Sequence, residues 1–323
     1  MPHARVARTG RATALLLAVA ALLPAAPAQA AGASQESGHY CTAPGHPGLA
    51  ARLDRDIAHA VSGRKSTLSF TVWDEGTGLT CGFRPNAQYD SASIVKVTLM
   101  TATLLRAQEE GRPLSAWEEL NLRLMITISD NQSATNLYNS LGVPFIQFTL
   151  NRCGMHDTVL NTTGDWGLTQ VTAHDEMKQL DVYTVNGTVL SPANQAYGLR
   201  LMSEVVPGQR WGTPFGAPRD ITVQVKNGWL QRVTFAWRVH SLGIFTGHGR
   251  LYQMAVLTQE DPSMSYGIGT IQRIAWHVHH DLDSFYGETA GPLPSYVPDL
   301  QASEESDGSY PLLHGQRLKG RLK

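Results

Sequence analysis

Residues 89–98 place a hydroxyl and an amine three positions apart, at Ser93 and Lys96. The surrounding residues favour the start of a helix, on which positions i and i+3 lie one turn apart on the same face. If burial keeps part of the Lys96 amine neutral, that amine can accept the proton of the Ser93 hydroxyl. The spacing therefore predicts a nucleophile with its own base, although a serine beside a solvated lysine gives the same short pattern.

Two later tripeptides carry further side chains of the types that acyl transfer uses. A Ser-Asp-Asn tripeptide at 129–131 lies between two predicted helical runs. These residue types are also ordinary helix caps, and both interpretations can hold together. A Lys-Asn-Gly tripeptide at 226–228 ends a predicted alternating strand and is followed by Trp229.

The order S-x-x-K, S-D-N and K-x-G resembles the active-site signature of class A β-lactamases and penicillin-binding proteins. The similarity extends from about residue 49 to residue 282. It implies a β-lactamase-like three-layer fold and an acyl-enzyme formed at Ser93, with Lys96 as the base. It also implies that Ser129 relays a proton to the leaving nitrogen, while Lys226 polarises Ser129 and attracts a substrate carboxylate.

The same resemblance implies a substrate-binding set beside these catalytic side chains. Asn131 would hydrogen-bond the catalytic amine and the substrate amide. The backbone N–H groups of Ser93 and Trp229 would stabilise the oxyanion of acyl transfer. Asn227 and Gly228, which stand where the family has K-T-G, would complete the binding strand.

The loop 158–170 departs from the family pattern. Hydrolytic members carry Glu-x-x-Leu-Asn there, with a glutamate that activates the deacylating water, and this sequence has no such motif. Asp165 is the only acidic residue of the loop, so it is the candidate base for deacylation. If Asp165 does not reach the acyl group, Lys96 must serve both half-reactions and the acyl-enzyme should persist.

The predicted elements favour the α/β (α+β) fold class. Strands at both ends of the chain with helices between them imply one antiparallel sheet built by both chain ends, with an all-helical lobe inserted. The predicted strands are 67–73, 79–83, 221–226, 237–246 and 250–258, and the predicted helices are 49–62, 93–110, 117–128, 132–141, 144–153, 172–180, 192–205 and 266–282.

Residues 1–30 have the pattern of a secretory signal peptide, with three arginines, a 12-residue apolar run and a small-x-small cleavage site. We expect export to an extracytoplasmic space, an N-terminal extension at 31–47, the catalytic domain at 48–286 and a disordered tail without chemistry at 287–323.

Loss of the signal peptide changes the charged residues from 26 basic and 27 acidic to 23 basic and 27 acidic. A mildly acidic chain does not indicate a nucleic-acid partner.

Three cysteines remain in a compartment that permits disulfides. Cys41 precedes the first predicted helix and Cys81 lies on a predicted strand of the same sheet, so this pair is the expected disulfide. Cys153 lies in the predicted helical lobe, where a small buried apolar side chain is a better interpretation than a catalytic thiol.

The histidines at 277, 279 and 280 could suggest a metal site, but only His277 and His280 share a helix face and no third ligand lies nearby in sequence. We therefore expect no metal, no cofactor and no membrane span, and a monomer.

The predicted function is β-lactam hydrolysis through a Ser93 acyl-enzyme. The alternatives are a DD-peptidase, esterase or transacylase acting on an acyl-peptide, and a penicillin-binding sensor that acylates without turnover.

Overall fold

The computed structural model describes residues 39–185, 187, 189–287 and 306–308, together with Met1. Apart from Met1, the predicted signal peptide lies outside the described residues. The described strands, in chain order, are β1 (Cys41–Thr42), β2 (Thr67–Asp74), β3 (Leu79–Phe83), β4 (Gln88–Asp90), β5 (Gln170–Thr172), β6 (Thr222–Gln231), β7 (Trp237–Gly247) and β8 (Arg250–Asp261). Six of them form an antiparallel sheet in the order β1-β3-β2-β8-β7-β6. The early and late parts of the chain thus share one sheet, which confirms the predicted fold class.

Helices cover both faces of this sheet. Helices α1 and α7 pack together on one face, and the lobe formed by α2 to α6 lies on the other, with α5 against β2 and β8. The described helices are α1 (Pro47–Val61), α2 (Val95–Glu109), α3 (Ala116–Thr127), α4 (Asn131–Arg152), α5 (Ala173–Thr184), α6 (Pro192–Ser203) and α7 (Met264–Phe285). None of the described helices has the length and apolarity needed to cross a membrane.

Strand β8 shows why the sheet is buried on both faces. Met254 and Val256 belong to the apolar cluster shared with α1 and α7, whereas Ala255 and Leu257 belong to the cluster of the helical lobe. Successive side chains of a strand point to opposite faces, so a run of apolar residues fits a strand that is covered on both sides. This packing fixes β8 and its neighbour β7 at the centre of the molecule.

Helix α2 is the central helix of the lobe. All of its residues from 95 to 105 are buried, and α3 and α4 pack against it. A helix that is enclosed on every side has little freedom to move. A 3₁₀ turn, Ala92–Ile94, precedes it, so Ser93 lies in that turn and not in the first turn of an α-helix as predicted.

Among the predicted boundaries that differ from the structure, two concern α4 and β6, which carry predicted site residues. The predicted helices 132–141 and 144–153 form one continuous α4 with a kink at Gly142, whose φ of 72° and ψ of 150° interrupt the helical geometry. Strand β6 does not end at Lys226 but continues to Gln231, because its backbone pairs with β7 along that whole length. Pairing with a neighbouring strand overrides the local tendency of Asn and Gly to end a strand.

Cys41 and Cys81 are joined by a disulfide across the paired strands β1 and β3. Cys153 is a free, buried thiol of the helical lobe, and burial raises its pKa to about 12. A thiol with a raised pKa carries almost no thiolate at neutral pH, which agrees with a packing role.

Candidate active site

Ser93 is buried where β6 crosses the 3₁₀ turn. A Cβ atom at Gly228 of β6 would lie 2.7 Å from the Ser93 backbone nitrogen and 2.9 Å from that of Ile94. Only glycine permits so close an approach of two backbones. Ala92, the residue before Ser93, has a left-handed φ of 47°, which an alanine rarely adopts. The strand and the turn therefore hold Ser93, the predicted nucleophile, in a fixed position.

The Lys96 amine lies in a buried polar cage. It donates hydrogen bonds to the Ser129 carbonyl at 2.6 Å, to the Ser129 Oγ at 3.0 Å and to the Asn131 Oδ1 at 2.7 Å. The Trp166 ring centroid is 5.0 Å from the Lys96 Nζ. Burial lowers the Lys96 pKa to about 8, against the opposing charges of Asp307 and Asp130. At pH 7 a group with that pKa is about one-tenth neutral, which gives a usable population of the base.

The expected hydrogen bond between Lys96 and Ser93 is not formed in this arrangement. The Ser93 Oγ has no hydrogen-bond partner among the described residues, and the three donors of the charged Lys96 amine are matched by the three acceptors in its cage. Residues one helical turn apart can be neighbours without bonding, and here the better acceptors come from the start of α4. The neutral amine must turn its lone pair towards Ser93 before it can act as a base.

Ser129 joins the two lysines of the site. Its Oγ accepts from the Lys96 Nζ and from the Lys226 Nζ, each at 3.0 Å, so its own proton can be donated into the cleft. The Lys226 pKa lies well below its ordinary value, first because of burial and then because of the Lys96 charge. Ser129 also has a left-handed φ of 60°, a conformation that marks a constrained position.

The tripeptide at 129–131 caps a helix and contributes to the site at the same time. Asp130 is the N-cap of α4, and its Oδ1 accepts from the Ser133 backbone N–H at 2.7 Å. The cap fixes the chain at the point where Ser129 and Asn131 face Lys96. Both interpretations of the tripeptide are therefore compatible with its geometry.

Two backbone N–H groups converge on one point beside Ser93. Those of Ser93 and Trp229 donate to the same atom, the Asp307 Oδ2, at 3.1 and 3.4 Å. The carboxylate oxygen thus stands where the oxyanion of an acyl-transfer intermediate would lie. The Asn131 Nδ2 donates to the Asp307 carbonyl at 2.6 Å, and the Asp307 N–H donates to the Trp229 carbonyl at 3.0 Å.

Asp307 is a residue beside Ser93 that the sequence patterns do not predict, because it lies in the tail for which no chemistry is expected. Within that tail, Asp307 bonds Ser93 and Asn131. The sequence offered little to single it out, since acidic residues at 304 and 305 precede it in the same polar stretch. Its contacts with Ser93 arise across 214 positions of sequence, a separation at which residue spacing carries no information.

Two further predicted site residues are Asn227 on β6 and Asp165 in the loop 158–170. The Asn227 amide donates to the Gln209 and Trp211 carbonyls, both at 2.9 Å, so it anchors the segment before β6 instead of facing the cleft. Asp165 is half-buried and precedes the 3₁₀ turn Trp166–Leu168. In that loop the side chain over the Lys96 amine is the Trp166 indole, whose N–H donates to the Thr135 Oγ1 at 3.2 Å.

A second network holds the chain just before the nucleophile. The Asp90 carboxylate pairs with Arg232 and Arg238, each at 2.8 Å, and the His240 ring bonds the Asp90 carbonyl at 2.8 Å. Burial lowers the pKa of His240 to about 4, so its imidazole is neutral at physiological pH. These contacts tie β7 to the segment that leads into Ser93, and sequence spacing gave no signal for them.

Two of the three α7 histidines singled out in the sequence, His279 and His280, have partners of their own. His279 bonds the Tyr252 hydroxyl at 3.0 Å and the Thr213 carbonyl at 2.8 Å, while His280 stacks on Trp276. Within the described residues, the one group with metal-ligand spacing is Asp157, His174 and Asp175.

The Asp175 carboxylate is already occupied by protein donors. It accepts from the Asp157 N–H at 2.9 Å, from the Thr158 hydroxyl at 2.8 Å and from the Lys178 amine at 3.0 Å. The group with His174 is therefore explained as part of the structure around the start of α5.

Solved structures that share this fold include class A β-lactamases and a penicillin-bound acyl-enzyme. A β-lactamase from Sphaerobacter thermophilus DSM 20745 aligns with a TM-score of 0.61 at 19% identity, over 71% of this chain and 96% of that chain. A representative of class A β-lactamase from Bacteroides cellulosilyticus DSM 14838 aligns with a TM-score of 0.63 at 16% identity, over 72% and 98%. A mutant of PBP-A, solved as an acyl-enzyme complex with penicillin G, aligns with a TM-score of 0.61 at 18% identity, over 73% and 97%.

The chain belongs to the Beta-lactamase enzyme family. The sequence model of that family matches residues 114–282, which are 169 of the 323 residues. The match includes the motifs at 129–131 and 226–228, and Ser93 precedes it. A search among curated proteins gave no match.

Proposed function

We propose that this protein is an exported serine hydrolase that opens β-lactam amides through an acyl-enzyme at Ser93. The observation that carries the proposal is the convergence of the Ser93 and Trp229 N–H groups on one oxygen, directly at the nucleophilic residue. Such paired donors stabilise the charge that develops when a hydroxyl attacks an amide carbonyl. The buried Lys96, with its lowered pKa, supplies the base that a serine nucleophile needs.

In the proposed acylation the Ser93 Oγ attacks the amide carbonyl and its proton passes to the neutral Lys96 amine. The resulting oxyanion is bound by the Ser93 and Trp229 N–H groups. When the carbon–nitrogen bond breaks, the Ser129 hydroxyl donates its proton to the leaving nitrogen and recovers one from Lys96, 3.0 Å away. Lys226 keeps Ser129 oriented and provides positive charge for a substrate carboxylate.

The leading function and the second candidate differ in deacylation, the step in which water releases the acyl group. The loop 158–170 places the Trp166 indole over Lys96, and the charges that raise the Lys96 pKa are those of Asp307 and Asp130, not that of Asp165. This observation favours a second candidate, an acyl-transfer enzyme or a penicillin-binding sensor in which the acyl-enzyme is long-lived. Water activation is the step that would distinguish them.

Intact-mass spectrometry with penicillin G, followed over time, tests the proposal. We expect a covalent adduct with the mass of the whole β-lactam, which is absent in Ser93→Ala. Loss of the adduct with release of hydrolysed penicillin supports β-lactam hydrolysis, whereas a stable adduct supports the second candidate. If no β-lactam and no fluorophosphonate labels the wild-type protein, Ser93 is not an acylated nucleophile and the proposal fails.

A further inference from the structure

The active-site cleft contains a segment of the chain itself, at residues 306–308. Its central residue, Asp307, uses both a side-chain oxygen and its backbone. The carboxylate accepts from the Ser93 and Trp229 N–H groups, the Asp307 N–H donates to the Trp229 carbonyl, and the Asp307 carbonyl accepts from the Asn131 amide. β6 is the last strand of the sheet, so the segment lies along an edge that is open to an added extended peptide.

The charges of the site also favour the position of Asp307 in the cleft. The site contains two buried amines, Lys96 and Lys226, and Asp307 is among the charges that raise the pKa of each against the effect of burial. Hydrogen bonds to a carboxylate are stronger than those to a neutral acceptor. The carboxylate also resembles the acid that hydrolysis of an acyl-enzyme would release, since both place a carboxylate oxygen between the same donors.

The residue after Asp307 fits the cleft for steric reasons. Gly308 has a left-handed φ of 72°, and a Cβ atom there would lie 2.8 Å from the Asn131 Nδ2. The Asn131 side chain cannot easily retreat, because its Oδ1 accepts from Lys96. The Asp-Gly pair therefore suits this position in both charge and shape.

We propose that the cleft binds an extended peptide with an aspartate side chain, and that residues 306–308 are its resident ligand and act as a reversible plug of the oxyanion site. The inference rests on the proposed function, because a plug regulates only a site that reacts. While Asp307 is bound, both N–H donors are occupied and a substrate carbonyl cannot use them. Tethering gives such a segment an effective concentration on the order of millimolar, so even a weak ligand stays bound.

Full-length variants test the plug in its natural setting. Asp307→Asn removes the charge and Gly308→Ala disturbs the fit, and Glu305→Gln is the control that removes one charge from the same tail. We expect acylation by a fluorophosphonate at limiting concentration to be about tenfold faster in the first two variants than in wild type. Glu305→Gln should react at the wild-type rate. Equal rates in all four proteins, or the same acceleration in Glu305→Gln, would overturn the inference.

A binding measurement tests whether the cleft holds this peptide without depending on the proposed catalytic activity. A fluorescent peptide with the sequence of residues 301–312 should bind full-length Asp307→Asn protein that also carries Ser93→Ala, and the same peptide with Asp307→Asn should not. If Ser93 is never acylated in any variant, the proposed function fails and peptide binding alone decides the inference. If the variants are acylated at one common rate and the peptide does not bind, the plug is overturned while the proposed function stands.

Discussion

The two halves of the proposed catalytic cycle are assigned to very different parts of this molecule. The acylation side, around Ser93, Lys96 and Ser129, is buried, cross-linked by hydrogen bonds of 2.6 to 3.0 Å and held by two left-handed backbone positions. The loop 158–170, to which the proposal assigns deacylation, places the Trp166 indole over the Lys96 amine. The comparison indicates that the residues proposed for acylation are fixed by their packing, whereas the loop proposed for deacylation presents an aromatic ring to Lys96.

The largest expected effect is on the acylation side. Ser93→Ala should abolish covalent labelling by a β-lactam or a fluorophosphonate, because the attacking oxygen is lost. Ser91→Ala is the matched control, since Ser91 is a buried serine two positions earlier whose hydroxyl donates to backbone carbonyls. Thermal unfolding should show that both variants are folded. Labelling that persists in Ser93→Ala would remove Ser93 from the proposed role.

Substitution of Lys96 and substitution of Lys226 should slow acylation in different ways. Lys96→Ala should slow acylation by about 10²- to 10⁴-fold for every acyl donor, because it removes the general base. Lys226→Ala should slow it by about 10- to 100-fold for donors that carry a carboxylate and less for neutral ones, because it removes a charge-assisted contact. Acylation rates with a charged and a neutral donor test this pair. If Lys226→Ala slows acylation equally with the charged and the neutral donor, Lys226 does not bind the substrate carboxylate.

The pH dependence of acylation should follow the Lys96 amine. Its neutral form is the base, and with a pKa of about 8 the neutral fraction rises roughly tenfold per unit up to that pH and then levels off. Single-turnover acylation rates between about pH 5.5 and 9.5 measure this profile. In Asp307→Asn the midpoint should move to lower pH, because one charge that raises the Lys96 pKa is gone. A flat profile would exclude Lys96 as the titrating base.

The smallest effect is expected on the deacylation side. Asp165→Asn should change the single-turnover deacylation rate by less than about twofold, because Trp166 and not Asp165 covers the Lys96 amine. Acylation by the same donor is the internal control and should also be unchanged. A loss of about 10²-fold or more that is confined to deacylation would make Asp165 the base and strengthen the hydrolytic proposal.

Much of the fold could be predicted from patterns of residues that are close together in the sequence. Apolar periodicity predicted most helices and strands to within a few residues, and the fold class with its sheet shared by both chain ends is confirmed. The three motifs, which are separated by long stretches of chain, do meet: the Lys96 and Lys226 amines bind one hydroxyl, that of Ser129. Such patterns can be predicted because they reflect backbone geometry and residue types within a few positions.

Other features were decided only by the tertiary structure. β6 continues past Gly228 because β7 pairs with it, and the Asn227 side chain turns to the segment before the strand. Lys96 bonds Ser129 instead of Ser93, and Asp307 reaches the oxyanion site from 214 positions away. The physical reason is the same in each case. The free energy of a polar contact depends on which acceptors, charges and neighbouring backbone the fold brings within about 3 Å, and no local pattern contains that information.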